Sequence, residues 1–490
     1  VKYTHIKHIK ISYNSIRPKG ERLKTFGGTA SGPKPLKKMF KGIDRVFKNK
    51  MDETLEPLQK ACHPEYDYFC KDCNIWHKVR PIHILDICNL IGNNVVIGGV
   101  RRTAEIFLCD KDDEEVISAK KNLQPHLYHR FMSNNSIVFD KKPSREELSR
   151  IFTSIRINGE PGFFNMEAAK KRRPNVKGLN PCGEVLLDSY GVCNLTTVNV
   201  MAFVNNGELD LKGLIKAQTL SARAGLRMTC IDLELPHWNI VHKRDRLIGC
   251  SLTGWKDAME ALNYSKINEI ILQKTLNKTV FDSISYYCDQ LRIPMPLLYT
   301  TIKPEGTLSQ VAGGVSSGLH ISFAPYYIRR IRINAYDPLI NVIKQLNWRF
   351  HPEVGSTWEN AHTFVIDFPV KSTSTKTQKD LTVKEQFKTY FNFQKYYTTH
   401  NSSITIYVKD NEWEEAEQIV WDAWDDIIGV TFLPNDGGEY ELAPYEEITK
   451  EEYEALKNQM LPFDLGLLKE ADDTEELLDI SCETGVCPIR

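Results

Sequence analysis

Between Asp410 and Gly429 the apolar residues Trp413, Ala416, Val420, Trp424 and Ile427 recur at helical spacing, with acidic residues on the other faces and Gly429 where the pattern stops. This stripe predicts a helix packed on a core. Just before it, Asn401 to Val408 (NSSITIYV) alternates Ile404, Ile406 and Val408, the period of a half-buried strand. From Asn94 to Asp110 the order is an apolar run (Val95-Val96-Ile97), a glycine pair (Gly98-Gly99), a basic pair (Arg101-Arg102) and a second apolar run from Ala104 to Leu108. That order predicts strand, turn and strand, with the arginines beside a cavity. Guanidinium forks suit phosphate, and a solvated surface pair is the alternative. Strands and helices alternate in this way through the middle of the chain, which predicts an α/β architecture.

Two stretches break the pattern. Lys371 to Asp380 (KSTSTKTQKD) has no recurring apolar position and predicts a mobile surface excursion. After Pro462 the chain becomes acidic, and Glu470 to Arg490 predicts a flexible tail. Leu23 to Pro35 (LKTFGGTASGP and on) crowds Gly27 and Gly28 with Thr, Ser and Pro, which suits a loop whose backbone approaches a ligand and equally suits a plain turn.

Composition narrows the function class. The 63 basic and 63 acidic side chains balance, so no basic field argues for nucleic acid as a partner. No run of 18 or more apolar residues and no signal-peptide core is present, so the expectation is a soluble, cytoplasmic protein with no membrane partner. Twelve cysteines in 490 residues are too sparse and unevenly spaced for a disulfide scaffold. Cys88, Cys109, Cys230, Cys250 and Cys288 are expected to be small buried hydrophobes. Cys182, Cys193, Cys482 and Cys487 need another account.

The segment Lys177 to Val200 (KGLNPCGEVLLDSYGVCNLTTVNV) places Asn180, Cys182 and Glu184 at alternate positions and adds Cys193. In an extended segment those three project to one face, so an amide, a thiol and a carboxyl converge on one small substrate. Pro181 and Gly183 allow a tight loop tip. A catalytic trio and an ordinary strand end both remain open on spacing alone. Cys482 and Cys487, five positions apart in a polar, glycine-containing terminus, have no core to enter and suit thiol–disulfide exchange. In Thr301 to Ser309 (TIKPEGTLS) a Pro-Gly turn leads into a predicted helix start, where Gly306, Thr307 and Ser309 could hold phosphate or merely cap the turn.

NPCGE with Cys193 beyond it and a terminal CETGVC resembles the ribonucleotide reductases, and the chain resembles their adenosylcobalamin-dependent triphosphate (class II) members in particular. LKTFGGTASGP, NNVVIGGVRRTAEI, GEPGFFN, IGCSLTGWKDAM, TTIKPEGTLSQVAGGVSSGLH and DGGEYELAPYEEIT agree, so the resemblance spans nearly the full length. It implies a ten-stranded α/β barrel with a central finger loop near residues 178–194, incomplete at the N-terminus. It implies that Cys182 carries a thiyl radical that takes the 3′ hydrogen of the ribose. Glu184 would be the general base on the 3′ hydroxyl, Asn180 a hydrogen-bond partner of the sugar hydroxyls, and Cys193 one of two reducing thiols. Cys482 and Cys487 would be the redox shuttle, recharged by a thioredoxin-type reductant. Gly306, Thr307 and Ser309 would contact substrate phosphate, and Gly27, Gly28, Gly98, Gly99 and Arg101 would form nucleotide loops. The implied reaction reduces ribonucleoside triphosphates to deoxynucleotides, with adenosylcobalamin as cofactor and ATP or a deoxynucleotide as effector.

The implied organisation is a barrel segment over 1–49, an insertion over 50–80, the barrel over 81–465 and the shuttle tail over 466–490. Within the insertion, Cys62, Cys70, Cys73 and His77 have the spacing of a small zinc knuckle. The family's chains begin well before the position that Val1 matches, and the resemblance implies that their first part carries the opening barrel strands and the partner thiol of Cys193. Cys62, Cys70, Cys73, Cys88 and Cys109 sit in other contexts. The expectation is a chain lacking the N-terminal third: a fragment, an incomplete gene reading, or a product that needs a separate N-terminal reductase fragment. Two alternatives stand beside this reading. One is a class I diphosphate reductase large subunit, although Tyr453 to Ser481 lacks the adjacent tyrosines that such a subunit carries before its tail. The other is a non-catalytic nucleotide-binding remnant.

Overall fold

The computed structural model describes residues 11–21, 30–55, 60–61, 68–70, 75–77, 79–96, 103–121, 123–306, 308–335, 337, 339–354, 357–359, 361, 363–435, 441–464 and 466–467. Its centre is a curved wall of strands. Glu105–Cys109, Ser133–Phe139 and Gly162–Asn165 lie side by side and parallel. Gly162–Asn165 then meets Gly429–Pro434 antiparallel, through Phe163 opposite Val430 and Phe164 opposite Gly429. From there Thr405–Val408 follows in parallel. Parallel bridges from Ser402 to Ile302 and from Thr300 to Cys250 carry the wall on to Ile248–Thr253, which pairs in parallel with Asn194–Asn199. The wall is thus a parallel group of three and a parallel group of five, joined at one antiparallel seam. This is the expected α/β barrel wall, with eight of the ten expected staves among the described residues.

Helices cover its outer face and bury an apolar stripe each. Arg145–Asn158 starts at Ser144, whose hydroxyl and Glu147 form a reciprocal capping box, and stops at Gly159, whose φ of 82° suits a residue without a side chain. Its Leu148, Ile151, Phe152 and Ile155 are buried. Phe152 meets Phe432 edge-on at 5.2 Å, and Phe163 stacks on Trp424 at 5.6 Å. Aromatic contacts of this kind knit the helices to the seam.

The stripe from Trp413 to Ile427 is buried as expected, but it is not one helix. The helix runs Trp413–Asp422, a 3₁₀ turn follows at Trp424–Asp426, and Gly429 opens the strand Gly429–Pro434. Pairing of Val430 with the wall overrides helical continuity. The predicted strand over 401–408 shortens to Thr405–Val408, with Ile404, Ile406 and Val408 buried.

A second expectation fails: Val95 and Val96 end a helix, Pro81–Val96, and do not form a strand. Ile82, Leu85 and Asn89 are fully buried at helical spacing, so the periodicity that decides this element begins upstream of the apolar run. The strand Glu105–Cys109 is as expected. Gly98, Gly99 and Arg101 lie outside the described residues, as do Gly27 and Gly28. The stretch 371–380 is not a free excursion. Ser374 and Thr377 are buried, Thr375 N–H donates to Glu260 at 2.9 Å, and Gln378 N–H donates to Ser322 O at 2.9 Å. Its hydroxyls and amides serve a carboxylate and a carbonyl, so a polar sequence here means a satisfied connection.

Among its described residues, 1–49 contributes the helix Pro33–Phe47 and no strand. In 50–80 three short strands form a sheet in the order Lys60–Ala61, Ile75–His77, Tyr68–Cys70. Cys62 and Cys73, and the side chains of Cys70 and His77, lie outside the described residues. A separate antiparallel sheet orders Phe350–Pro352, Thr363–Lys371, Tyr326–Asn334 and Tyr445–Glu447. No helix among the described residues is long and apolar enough to cross a membrane.

Phe432→Ala should cost about 3–5 kcal/mol of unfolding free energy, because it empties the space shared with Phe152, Phe163 and Phe387. Urea unfolding would read this as a lower midpoint at constant slope; a loss below about 1 kcal/mol would mean that the seam is not packed as described.

Candidate active site

The chain after Arg173 leaves the wall and enters its interior as a narrow hairpin. Gly178–Leu179 pairs antiparallel with Leu186–Leu187, and Lys177 N–H donates to Leu187 O at 2.7 Å. At the base, the buried Arg173 guanidinium donates to Leu186 O at 2.9 Å and forms a tight ion pair with Asp245. The tip is a turn: Gly183 N–H donates to Asn180 O at 2.8 Å, and Asn180 Oδ1 accepts Val185 N–H at 2.8 Å. Gly183 has φ of 78°, while a Cβ built on it would meet nothing within 4 Å, so dihedral freedom and not space is what glycine supplies. The alternating extended face expected for Asn180, Cys182 and Glu184 is therefore absent. The turn, not the two-residue period, brings thiol and carboxyl together, and Asn180 spends its carbonyl oxygen on bracing it.

Cys182 opens onto a cavity of about 310 Å³ lined by strand residues from both sides of the seam. Burial, followed by the nearby Glu184 carboxyl, pushes its thiol up to about 11, with Lys303 pulling the other way. At neutral pH Cys182 is therefore held as the thiol, which makes it a poor nucleophile. Glu184 is 2% exposed. Burial raises its carboxyl, against Asn180 and Lys303, which favour the ionised form. Its Oε2 has no hydrogen-bond partner in the protein and so remains open to a ligand hydroxyl.

Cys193 immediately precedes the Asn194–Asn199 strand. Burial, then Glu184, lifts its thiol well above the ordinary range. A Cβ on Gly249 would lie 3.5 Å from Cys193 Sγ and 2.8 Å from Thr301 Cγ2, so the neighbouring strand must lack a side chain there. Facing this group, Lys303 Nζ lies 3.1 Å from Thr197 Oγ1 and 3.5 Å from Glu305 Oε2, and Thr197 Oγ1 donates to Glu305 Oε1 at 2.7 Å. One ammonium thus stands among two buried carboxyls.

The structure gathers Cys182, Glu184, Asn180 and Cys193 as the sequence suggests. It separates the phosphate candidates. Ser309 is fully buried and its hydroxyl pairs with Ser317 Oγ at 2.8 Å, so here it supports the turn. Gly306 borders open space, and Thr307 lies outside the described residues. Cys482 and Cys487 lie outside them too. Cys109, Cys250 and Cys288 are buried as expected, whereas Cys230 is exposed and Cys88 half-buried. Sequence reading missed Asn134, Lys303, Glu305, His400 and Asn401. Lys303 and Glu305 had a signal, as a charged pair inside TTIKPEGTLSQ; the others had none.

His400 grips the hairpin from outside. Its Nδ1 accepts Leu186 N–H at 3.3 Å and its Nε2–H donates to Ile248 O at 3.1 Å, which fixes one neutral tautomer. Burial pulls its pKa down to about 3.

Comparison with known proteins follows this geometry. Residues 95–288 match the family model described as ribonucleotide reductase, barrel domain, and residues 1–47 match B12-dependent ribonucleotide reductase, insertion domain. The adenosylcobalamin-dependent ribonucleoside-triphosphate reductase of Lactobacillus acidophilus is 29% identical over 98% of this chain and 66% of its own length. The protein of the same name from Lactobacillus leichmannii is 30% identical, with the same coverage. A crystal structure of a B-12 dependent (class II) ribonucleotide reductase superposes with a TM-score of 0.73 at 27% identity, over 94% of this chain and 65% of that one. The chain spans about 66% of the length of the curated relatives it matches.

A pH dependence follows from His400. The unfolded chain binds a proton near the free value of 6.5 and the folded chain only near 3, so the contribution of neutral His400 is complete above 6.5 and is lost as pH falls toward 3. The expected slope is about 1.4 kcal/mol per pH unit in that window. His400→Gln, which can still accept and donate, should flatten it; urea midpoints between about pH 4 and 7 that fall equally in both proteins would exclude His400 as the source.

Proposed function

Since this chain belongs to the B12-dependent ribonucleotide reductases, we propose that it carries the radical and reducing centre of a ribonucleoside-triphosphate reductase. The observation that carries this reading is the hairpin tip, which holds a protonated thiol, Cys182, beside a buried carboxyl with a free oxygen, Glu184, next to a second protonated thiol, Cys193. The class II relatives favour this over a class I large subunit.

The cofactor's adenosyl arm needs a pocket of nucleoside size beside Cys182. The cavity of about 310 Å³ fits, at the lower end of the usual range of about 300–1,000 Å³ for small-molecule sites. Ser403, Thr405 and Thr431 on one side and Asn158 with Glu160 on the other would hold it, and neither Glu184 nor Cys193 is among the lining residues. Bound there, adenosylcobalamin supplies the one-electron oxidising equivalent that converts the Cys182 thiol to a thiyl.

The chain's own residues do the rest. The Cys182 sulfur takes the 3′ hydrogen of the ribose, and Glu184 Oε2 takes the proton of the 3′ hydroxyl. Lys303 favours the ionised Glu184 that this requires. The 2′ hydroxyl leaves as water, Cys193 and a second thiol supply two hydrogens and two electrons, and the two sulfurs join as a disulfide. Cys182 then returns the hydrogen it took to the 3′ carbon, which restores the C3′–H bond and leaves the sulfur as the thiyl again. Backbone at Gly306 is the open part of the turn that would meet substrate phosphate. Cys482 and Cys487 would reduce that disulfide by thiol–disulfide exchange, becoming a disulfide themselves, and would be reduced again by a thioredoxin-type reductant. ATP or a deoxynucleotide would act as effector.

The test is deoxynucleotide formation from a ribonucleoside triphosphate with adenosylcobalamin and a dithiol. It is run on the chain alone and with a polypeptide supplying the third of the relatives that this chain does not span. Cys182→Ser should abolish product, and Glu184→Gln should lower kcat by about 10²–10⁴ with the fold intact. Product formation that survives Cys182→Ser would overturn the assignment; nucleotide binding without reduction under every condition would leave a binding remnant.

A further inference from the structure

Two asparagines from the two sides of the antiparallel seam hold the carbonyls on either side of the Cys182 residue. Asn134, on the Ser133–Phe139 strand, donates from Nδ2 to Pro181 O at 2.9 Å. Asn401 donates from Nδ2 to Gly183 O at 2.7 Å. Pro181 O and Gly183 O belong to the peptide units that enter and leave the two-residue step around the thiol, so fixing both fixes the backbone at Cys182 and the Cα–Cβ direction from which the sulfur projects.

Asn401 is built for this. It is 1% exposed, and all four hydrogen-bonding positions of its amide are filled. Nδ2 also donates to Gly429 O at 3.1 Å, while Oδ1 accepts from Tyr390 Oη at 2.9 Å and Gln394 Nε2 at 2.8 Å. The two carbonyls can only accept, so the amide has one permitted orientation. Its backbone joins in: Asn401 N–H donates to Glu184 O at 2.9 Å, and Thr301 Oγ1 donates to Asn401 O at 2.7 Å. The residue thereby ties the tip to the seam strand, to the covering helix Val383–Tyr396 and to the 300–302 stave. Arg173 and His400 secure only the base of the hairpin.

We propose that Asn401 and Asn134 are a pair of positioning residues that aim the Cys182 sulfur, by holding Gly183 O and Pro181 O from the two sides of the antiparallel seam. Neither residue touches the reacting atoms. The aim matters because hydrogen-atom transfer requires close, aligned atoms, and a displacement of about 1 Å costs on the order of 10² in rate. The inference rests on the reductase reading for its consequence in turnover, and on geometry alone for its consequence in thiol access.

Asn401→Ala and Asn134→Ala are measured for kcat, for KM of the nucleotide, and for the rate at which iodoacetamide labels the Cys182 peptide, with the exposed Cys230 as internal reference. The expectation is a fall in kcat of about 10² for Asn401→Ala and up to about tenfold for Asn134→Ala, the worth of one hydrogen bond, with KM little changed. Cys182 labelling relative to Cys230 should rise severalfold in both. A merely structural role would lower the yield of folded protein and leave kcat per folded molecule and relative labelling at their original values, and that result overturns the proposal. Should Asn401→Ala not fold, Asn134→Ala decides, since Asn134 is exposed to the cavity and its loss threatens no core. If the unsubstituted protein reduces no nucleotide either alone or with the complementing polypeptide, the functional reading fails while the labelling comparison still judges the two asparagines.

Discussion

A peptide loop pushed into the middle of a barrel must find partners for its own amides and carbonyls, and that requirement shapes everything around Cys182. An unmatched buried peptide group costs about 1–3 kcal/mol, so a hairpin with half a dozen of them would not stay inside. Here the partners come from the surrounding wall: Arg173 for Leu186 O, His400 for Leu186 N–H, Asn134 for Pro181 O, and Asn401 for Gly183 O through its side chain and for Glu184 O through its N–H. Side chains that satisfy the loop also immobilise it. Holding a reactive sulfur in one direction is thus a by-product of making the loop tolerable in a dry place.

Desolvation by the surrounding wall also sets the charge states, although Cys182 itself stays open to the cavity. Cys182 and Cys193 both lose the thiolate form, and Glu184 is pressed toward its neutral form while Lys303 resists. A hydrolase with a nucleophilic cysteine needs the opposite, a depressed thiol beside a cation or helix terminus. Hydrogen-atom chemistry needs S–H bonds that persist at neutral pH. The same burial that would disable one kind of cysteine enzyme prepares the other.

How much of this can be read in the sequence depends on the distance over which each interaction acts. Cys182, Glu184 and Cys193 sit within one segment whose residue types already suggest chemistry, so they are legible, though the reason for their convergence is a turn and not the strand period that the spacing suggests. The α/β class is legible because the apolar periods alternate. Asn134 and Asn401 are not, since their contacts with the hairpin span 47 and 218 residues and an asparagine before a strand carries no mark of what its amide will meet. Ser309 shows the converse: its hydroxyl sits in a promising turn but is claimed by Ser317. Val95 and Val96 look like a strand in the sequence because the glycines after them punctuate the chain more visibly than the buried Ile82, Leu85 and Asn89 before them.

The antiparallel seam has a temporal meaning. It pairs Phe163 with Val430 and Phe164 with Gly429, positions separated by more than half the chain, and Asn401 and Gly429 complete the chamber only from the far side. During synthesis the hairpin therefore leaves the ribosome long before the strand that shelters it, and long-range pairing of this kind forms slowly. Throughout that interval Cys182 is an ordinary solvated thiol, open to oxidants and to mispairing with its fellow cysteines. A nascent chain of this design is best made where reductants are plentiful, and its thiol gains a fixed setting only once the distant strands have paired.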